Sequence, residues 1–231
     1  MGGDWDLLFR WSFLCSEAIR KECFSMRVKA VFIAGLAATL LVAAVAAAAP
    51  PAVTISLSRP AVVYGNSITL SGKVSDNKAG KSVQVMAEPY PSTSFSPLGS
   101  PVTTTSGGHW TDVVKPTIQT SYQATWNSAT SSTVTVKVRP LLTLTLDKLS
   151  TGTFSTKATA ARSFAGKFVL VQRLSSTGAT MLKKVTLDGS SSATFHVRLH
   201  HGRNRLRVVM PTSQTAPGYI TGMSKALTVN R

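Results

Sequence analysis

From Val53 onward, apolar and polar residues alternate over short stretches, the period-two pattern of strands that bury one face. The alternating segments fall at 53–58, 68–74, 82–88, 98–105, 109–114, 120–127 and 132–138. Their separators have a physical reason to interrupt a strand. Tyr64-Gly65-Asn66 and Gly107-Gly108 supply residues that tolerate positive φ, while Pro60, Pro91 and Pro116 lack the amide that a central strand must donate. A second series follows at 141–147, 153–160, 167–174, 180–187, 192–199, 204–210 and 225–230. Each series predicts a sandwich of two antiparallel sheets, so the expected fold is all-β, with one sandwich over 52–139 and another over 140–231. Val, Thr, Ser, Gly and Pro dominate this region, whereas helix formers concentrate in the first fifty residues.

The two series look like copies of one unit. Ala79-Gly80-Lys81-Ser82-Val83-Gln84-Val85 aligns with Ala165-Gly166-Lys167-Phe168-Val169-Leu170-Val171 at an offset of 86 residues. Val53-Thr54-Ile55-Ser56-Leu57 likewise matches Leu142-Thr143-Leu144-Thr145-Leu146. A duplication joined at Arg139-Pro140 accounts for both, and the fixed φ of Pro140 predicts a stiff, very short linker.

Ser58-Arg59-Pro60, Tyr64-Gly65, Thr69-Leu70-Ser71-Gly72, Ala79-Gly80-Lys81, Gly107-Gly108-x-Trp110, Thr120-x-Tyr122-x-Ala124 and Val134-Thr135-Val136-x-Val138-Arg139-Pro140 carry a resemblance. The chain resembles the bacterial immunoglobulin-like repeats of exported actinobacterial proteins. The first unit matches nearly throughout. The second keeps Phe164-Ala165-Gly166-Lys167 and Pro217-Gly218-Tyr219 but has Leu206 where the first has Tyr122. The resemblance implies tandem immunoglobulin-like sandwiches in an envelope or extracellular setting, with no catalytic residue to carry over. It also implies structural roles for three residues. Tyr122 would form a tyrosine corner bonded to the backbone, and Ala124 would pack where antibody domains place a cysteine. Trp126 shares their parity and should face the core.

The N-terminal region adds an address. After Met26 come Arg27 and Lys29, an apolar or small run from Ala30 to Ala49, and Pro50-Pro51. A basic start, an apolar stretch and an A-x-A site predict a secretory signal peptide over 26–49; the alternative is an uncleaved membrane anchor exposing the rest outside. Residues 1–25 read as an upstream extension that need not be translated, or as a long leading region of the signal. Both cysteines, Cys15 and Cys23, precede this segment, so the sandwiches are expected to stand on packing alone.

Charge separates the halves. The net charge is +16, and Pro50 to Arg139 holds seven basic against three acidic residues, while Pro140 to Arg231 holds thirteen against two. A basic surplus concentrates anionic partners without specifying them. Arg203, Arg205 and Arg207 share one face of a strand and, with Lys183, Lys184 and Arg198, predict an anion-contact stripe, to which Arg173 belongs in the same reading. An anionic cell-wall glycopolymer or a surface protein is the expected partner. Nucleic acid is disfavoured because no stacking aromatics interleave these arginines, and a membrane partner requires the uncleaved segment.

Catalytic apparatus is not visible. There is no G-x-S-x-G, and no two carboxylates after the signal share a motif. His196, His200 and His201 are the one cluster that suggests a metal or pH-responsive site, but without a neighbouring carboxylate or thiol they read as exposed positions; no metal, cofactor or catalytic residue is expected. The reading is a non-catalytic exported interaction or spacer module. Its rivals are a carbohydrate-binding module stacking sugars on Trp110 and Trp126, and an enzyme of unrecognised type.

Overall fold

The computed structural model describes residues 50–231, all within one compact unit. The expected signal segment 26–49 and the extension 1–25 lie outside the described residues. No helix among the described residues is long and apolar enough to cross a membrane.

The described residues fold as two all-β sandwiches. In the first, β1 (Ser56–Leu57), β3 (Ile68–Lys73) and β7 (His109–Val114) form one sheet in the order β1-β3-β7. The facing sheet runs β2-β10-β8-β4-β5, built from β2 (Ala61–Val63), β4 (Ser82–Pro89), β5 (Ser96–Pro97), β8 (Thr120–Trp126) and β10 (Val134–Arg139). Two short edges join it, β6 (Val102–Thr103) on β4 and β9 (Ala129–Thr130) on β8. The second sandwich sets β11 (Leu141–Lys148), β12 (Thr153–Thr159) and β15 (Ser192–His196) against β14 (Gly178–Thr186), β13 (Phe168–Ser175), β16 (Arg203–Met210) and β17 (Gly222–Met223), with β18 (Leu227–Asn230) also on β16. No strand pair links β1–β10 to β11–β18, and Pro140 alone separates β10 from β11.

Alternation decides what is buried. On β8, Thr120, Tyr122, Ala124 and Trp126 point inward while Ser121, Gln123 and Thr125 are partly exposed. Leu70, Val83, Val85 and Val136 join them in the first core; Phe154, Val169, Val171, Leu206 and Val208 fill the second. Each such side chain contributes about 1.5–3 kcal/mol by leaving water. The duplicated Ala-Gly-Lys turns also share their hydrogen bonds. Gly80 N donates to Thr104 O (2.8 Å) and Thr104 N to Lys81 O (2.8 Å), just as Gly166 N donates to Leu187 O (3.0 Å) and Leu187 N to Lys167 O (2.8 Å). Gly80 and Gly166 both sit at positive φ, +76° and +73°, which explains the glycine.

The structure departs from the strand expectations in places where proline or glycine intervenes. The expected strand 98–105 shrinks to β6 alone, and β5 pairs on β4 just before it, because Gly99 turns the chain between them at φ +59° and Pro101 follows. Past Pro60 the chain changes sheets, and β2 pairs in parallel with Lys137, Val138 and Arg139 of β10. Three residues are too few to announce themselves by period.

Beyond β16 the chain leaves its own sandwich and docks on the first. Tyr219 donates its hydroxyl to Thr117 O (2.8 Å) and accepts from Ala161 N (3.1 Å). Gln119 N donates to Gly218 O (3.0 Å), Ile220 N to Val138 O (2.9 Å), and Arg139 Nη1 to Thr221 O (2.6 Å). Behind this contact the Phe164 ring meets the Tyr219 ring edge-on at 5.9 Å, and the Arg162 guanidinium lies over both. Gly218 sits at φ +84°, which disfavours any side chain, and a Cβ there would stand 2.8 Å from Ile118 Cδ1. The two sandwiches are therefore joined by a hydrogen-bonded seam as well as by the covalent chain.

This seam yields a paired prediction. Tyr219→Phe strands the Thr117 carbonyl and the Ala161 amide and is expected to cost ~1–2 kcal/mol in thermal unfolding of the full chain. Tyr122→Phe is expected to cost less. The Tyr122 hydroxyl stands near that of Thr120, which itself donates to Ile118 O (2.8 Å), and makes no hydrogen bond to a backbone group among the described residues. The backbone bond of the expected tyrosine corner is thus not formed. A larger loss for Tyr122→Phe than for Tyr219→Phe would contradict this assignment.

Both phenols are desolvated. Burial pushes the Tyr122 hydroxyl from its ordinary 10.0 up to about 12 and raises that of Tyr219 as well. A folded value above the unfolded one means the stabilisation is complete below pH 10 and is lost as pH climbs from 10 toward 12. Urea midpoints across that interval are expected to fall, and the share of the phenolate absorbance that Tyr122→Phe removes is expected to appear together with unfolding; its appearance in the folded protein near pH 10 would contradict this.

Candidate functional site

The second sandwich carries its cations without acidic partners. Among the described residues the single ion pair is Lys81–Asp76 (3.6 Å), in the first sandwich. The two carboxylates of the basic half are occupied otherwise. Asp147 accepts from Ser155 Oγ (2.8 Å). Asp188 accepts from the Ser190 hydroxyl (2.7 Å) and from the Ser192 and Ser190 amides, bonds that hold its carboxyl below the usual carboxylate range. The surplus charge is thus presented to solvent.

The predicted stripe resolves into two separate surfaces. On β16, Arg203 and Arg205 are exposed and Arg207 half-buried, alternating with buried Asn204, Leu206 and Val208. They stand about 6.8 Å apart in a row on the outer face of the sheet. Arg207 is held by its Nε donating to Gln172 Oε1 (2.8 Å), and Arg203 and Arg205 lie opposite Asn230 and Thr228 of β18. Lys184 faces the same side from β14, with its Nζ 3.9 Å above the Phe168 ring.

Lys183 and Arg198 belong elsewhere. A register shift between Val171 and Gln172 displaces the β13–β14 pairing, so Lys183 lies opposite the inward-facing Val171. Arg198 follows β15, which belongs to the opposite sheet. These two residues meet Arg173, His196 and His200 around a cleft between β14 and the chain following β15. Arg173, opposite the buried Leu206, turns inward rather than out: its Nη2 donates to Arg198 O (2.8 Å) and its Nη1 to His200 Nε2. His196 Nδ1 pairs with Thr153 Oγ1 (3.1 Å). Among the described residues no three His, Cys, Asp or Glu side chains converge as metal ligands, and His201 is exposed outside this cleft.

The tryptophan platform is corrected. Trp110 is 1% exposed and Trp126 6%, so neither offers a face to a sugar. Trp110 instead folds across Gly72 in the neighbouring strand, its register partner. Ala124 is fully buried opposite Val85, its amide receiving Ser131 Oγ as acceptor (2.9 Å). The feature that sequence reasoning missed is the cleft, since its residues come from both sheets.

No protein-family model matches the chain, and no curated protein matches it. Among solved structures, similar folds include the tetra-tandem repeat in the extending region of a large adhesion protein, 13% identical over 78% of this chain and 49% of that one, with a TM-score of 0.33. Another is the C-terminal 282-residue fragment of intimin, solved in complex with the intimin-binding domain of the translocated intimin receptor, 13% identical over 76% of this chain and 62% of that one, with a TM-score of 0.38. Bovine butyrophilin is 12% identical over 79% of this chain and all of that one (100%), with a TM-score of 0.33. The chain thus spans about half of that adhesion-protein repeat (49%) and less than two thirds of that intimin fragment (62%). The class defined by the strands themselves is a tandem immunoglobulin-like β-sandwich protein.

Proposed function

We propose that the protein is a non-catalytic, exported module of the cell envelope or extracellular space that spaces its surroundings and contacts anionic wall glycopolymer through its second sandwich. The observation that carries this reading is the arginine row of β16, three guanidinium groups on one outer face with no carboxylate partner among the described residues. Guanidinium groups spaced along a strand suit the repeating phosphate or carboxylate groups of a linear polymer, and their field speeds encounter. The seam at Tyr219 supports the spacing role, because it ties the two sandwiches through backbone groups of both. Export rests on the 26–49 segment and on the resemblance to exported actinobacterial repeats.

The test is retention on an anionic glycopolymer resin beside a neutral resin of the same sugar. Binding is expected on the anionic resin only and should weaken as salt rises, since solvent-exposed charges are screened over about 10 Å at 0.1 M salt. Equal retention on the neutral resin would contradict the reading and return weight to sugar recognition.

A further inference from the structure

We infer that the cleft between β14 and the chain following β15 is a discrete site for one tetrahedral oxyanion, a phosphate or sulfate ester group, distinct from the arginine row. The inference deepens the polymer reading and rests on it for the source of the ligand, while the chemistry of the cleft stands separately. Its walls bring together Lys183, His196, Arg198 and His200 from opposite sheets, with Arg173 behind them and Leu182 and Val197 as apolar floor. No carboxylate lines it. Asp147 on β11, in the same sheet as β15, is engaged by Ser155 (2.8 Å).

Arg173 positions the donors rather than serving as one. With Nη2 on the Arg198 carbonyl and Nη1 on His200 Nε2, it fixes the backbone that carries Arg198 and leaves the His200 Nδ1 edge to donate. Its Nε is buried without a partner, so the guanidinium charge is only partly satisfied by the protein. That leaves a positive charge to be balanced by something bound in front of it. His196 is held through Nδ1 by Thr153 Oγ1 (3.1 Å), and the Lys183 ammonium and Arg198 guanidinium, which donate and cannot accept, line the same cleft.

Size narrows the ligand. At about 240 Å³ the cleft falls below the roughly 300–1,000 Å³ of sites that enclose a whole small molecule, so it admits one charged group and leaves the attached chain outside. Several convergent donors suit an oxyanion with three or four acceptor oxygens. The arginine row, flat and open, suits a chain of charges instead. The two surfaces therefore divide the task, with the row holding the polymer and the cleft fixing one of its anionic groups.

The experiment follows the ring signals of His196 and His200 by NMR in the full chain while inorganic phosphate is added at constant ionic strength, with dimethyl phosphate in a parallel titration. Saturable shifts are expected. The double variant Lys183→Ala/Arg198→Ala, both exposed positions, should weaken binding by at least ~10-fold, and Arg203→Ala/Arg205→Ala/Arg207→Ala by less than ~2-fold. Binding of inorganic phosphate but not of the diester assigns the site to a terminal monoester; binding of both admits a chain diester. Linear shifts without saturation, or equal weakening by the two variants, overturn the cleft. If such a result accompanies salt-sensitive retention on the anionic resin, the polymer reading survives it; if phosphate saturates the cleft while that retention is missing, the polymer reading falls and the cleft stands.

Discussion

Gly72→Ala is expected to unfold the first sandwich at temperatures where the wild type is intact, at a cost of ~3 kcal/mol or more. Gly72 lies in β3, and a Cβ built on it would stand 1.9 Å from the Thr54 carbonyl oxygen and 2.7 Å from two atoms of the Trp110 ring. Neither neighbour can yield. Thr54 is fixed by its amide donating to Lys73 O (2.9 Å) and its hydroxyl accepting from Lys73 N (3.0 Å). Trp110 is 1% exposed, so a shift of its ring has to be absorbed by the packed side chains of the first core. Differential scanning calorimetry with tryptophan fluorescence checks this, and a shift of more than ~10 °C is expected for a domain of this size. A melting temperature within ~2 °C of the wild type would show that the strand can move aside.

The same pair explains why part of the fold was legible. Gly72 and Gly107-Gly108-x-Trp110 stood out as motif residues in separate stretches of sequence, and the structure joins them as a glycine that makes room and a ring that fills it. Strands with strict alternation, such as β7 and β8, were read with bounds within a residue of those observed, because one buried face imposes period two. The switch of β2 to the facing sheet was not legible. It follows from Pro60 ending one ladder and Lys137 N finding the Pro60 carbonyl (2.9 Å), a long-range contact that no local pattern encodes.

The candidate site was legible to the same degree and for the same reason. Arg203, Arg205 and Arg207 share a strand, so parity alone places them on one face. Lys183 and Arg198 required knowledge of register and sheet membership. A single-residue shift opposite Val171 reverses the side on which Lys183 emerges, and the change of sheet after β14 carries Arg198 to the other layer. Pro217-Gly218-Tyr219 was visible as a retained motif, but its role as the seam between sandwiches depends on carbonyls of the first sandwich, 102 residues away in sequence for Thr117. The tryptophans illustrate the converse: aromatic residues suggested a binding platform until burial showed them to be core.

The measurement that bears most directly on the central claim is a comparison of two charge reversals of equal size on anionic glycopolymer resin. Arg203→Glu/Arg205→Glu/Arg207→Glu and Lys73→Glu/Lys78→Glu/Lys81→Glu each lower the net charge by the same amount. If organised charge on the second sandwich makes the contact, the arginine variant should elute at several-fold lower salt than the wild type, and the lysine variant should stay close to it. The arginines form one row on β16, whereas Lys73 ends β3, Lys78 lies in the following loop and Lys81 is paired with Asp76. Circular dichroism of both variants secures that each remains folded. An equal shift in elution would contradict the account, because retention would then follow total charge and owe nothing to the arrangement on the second sandwich.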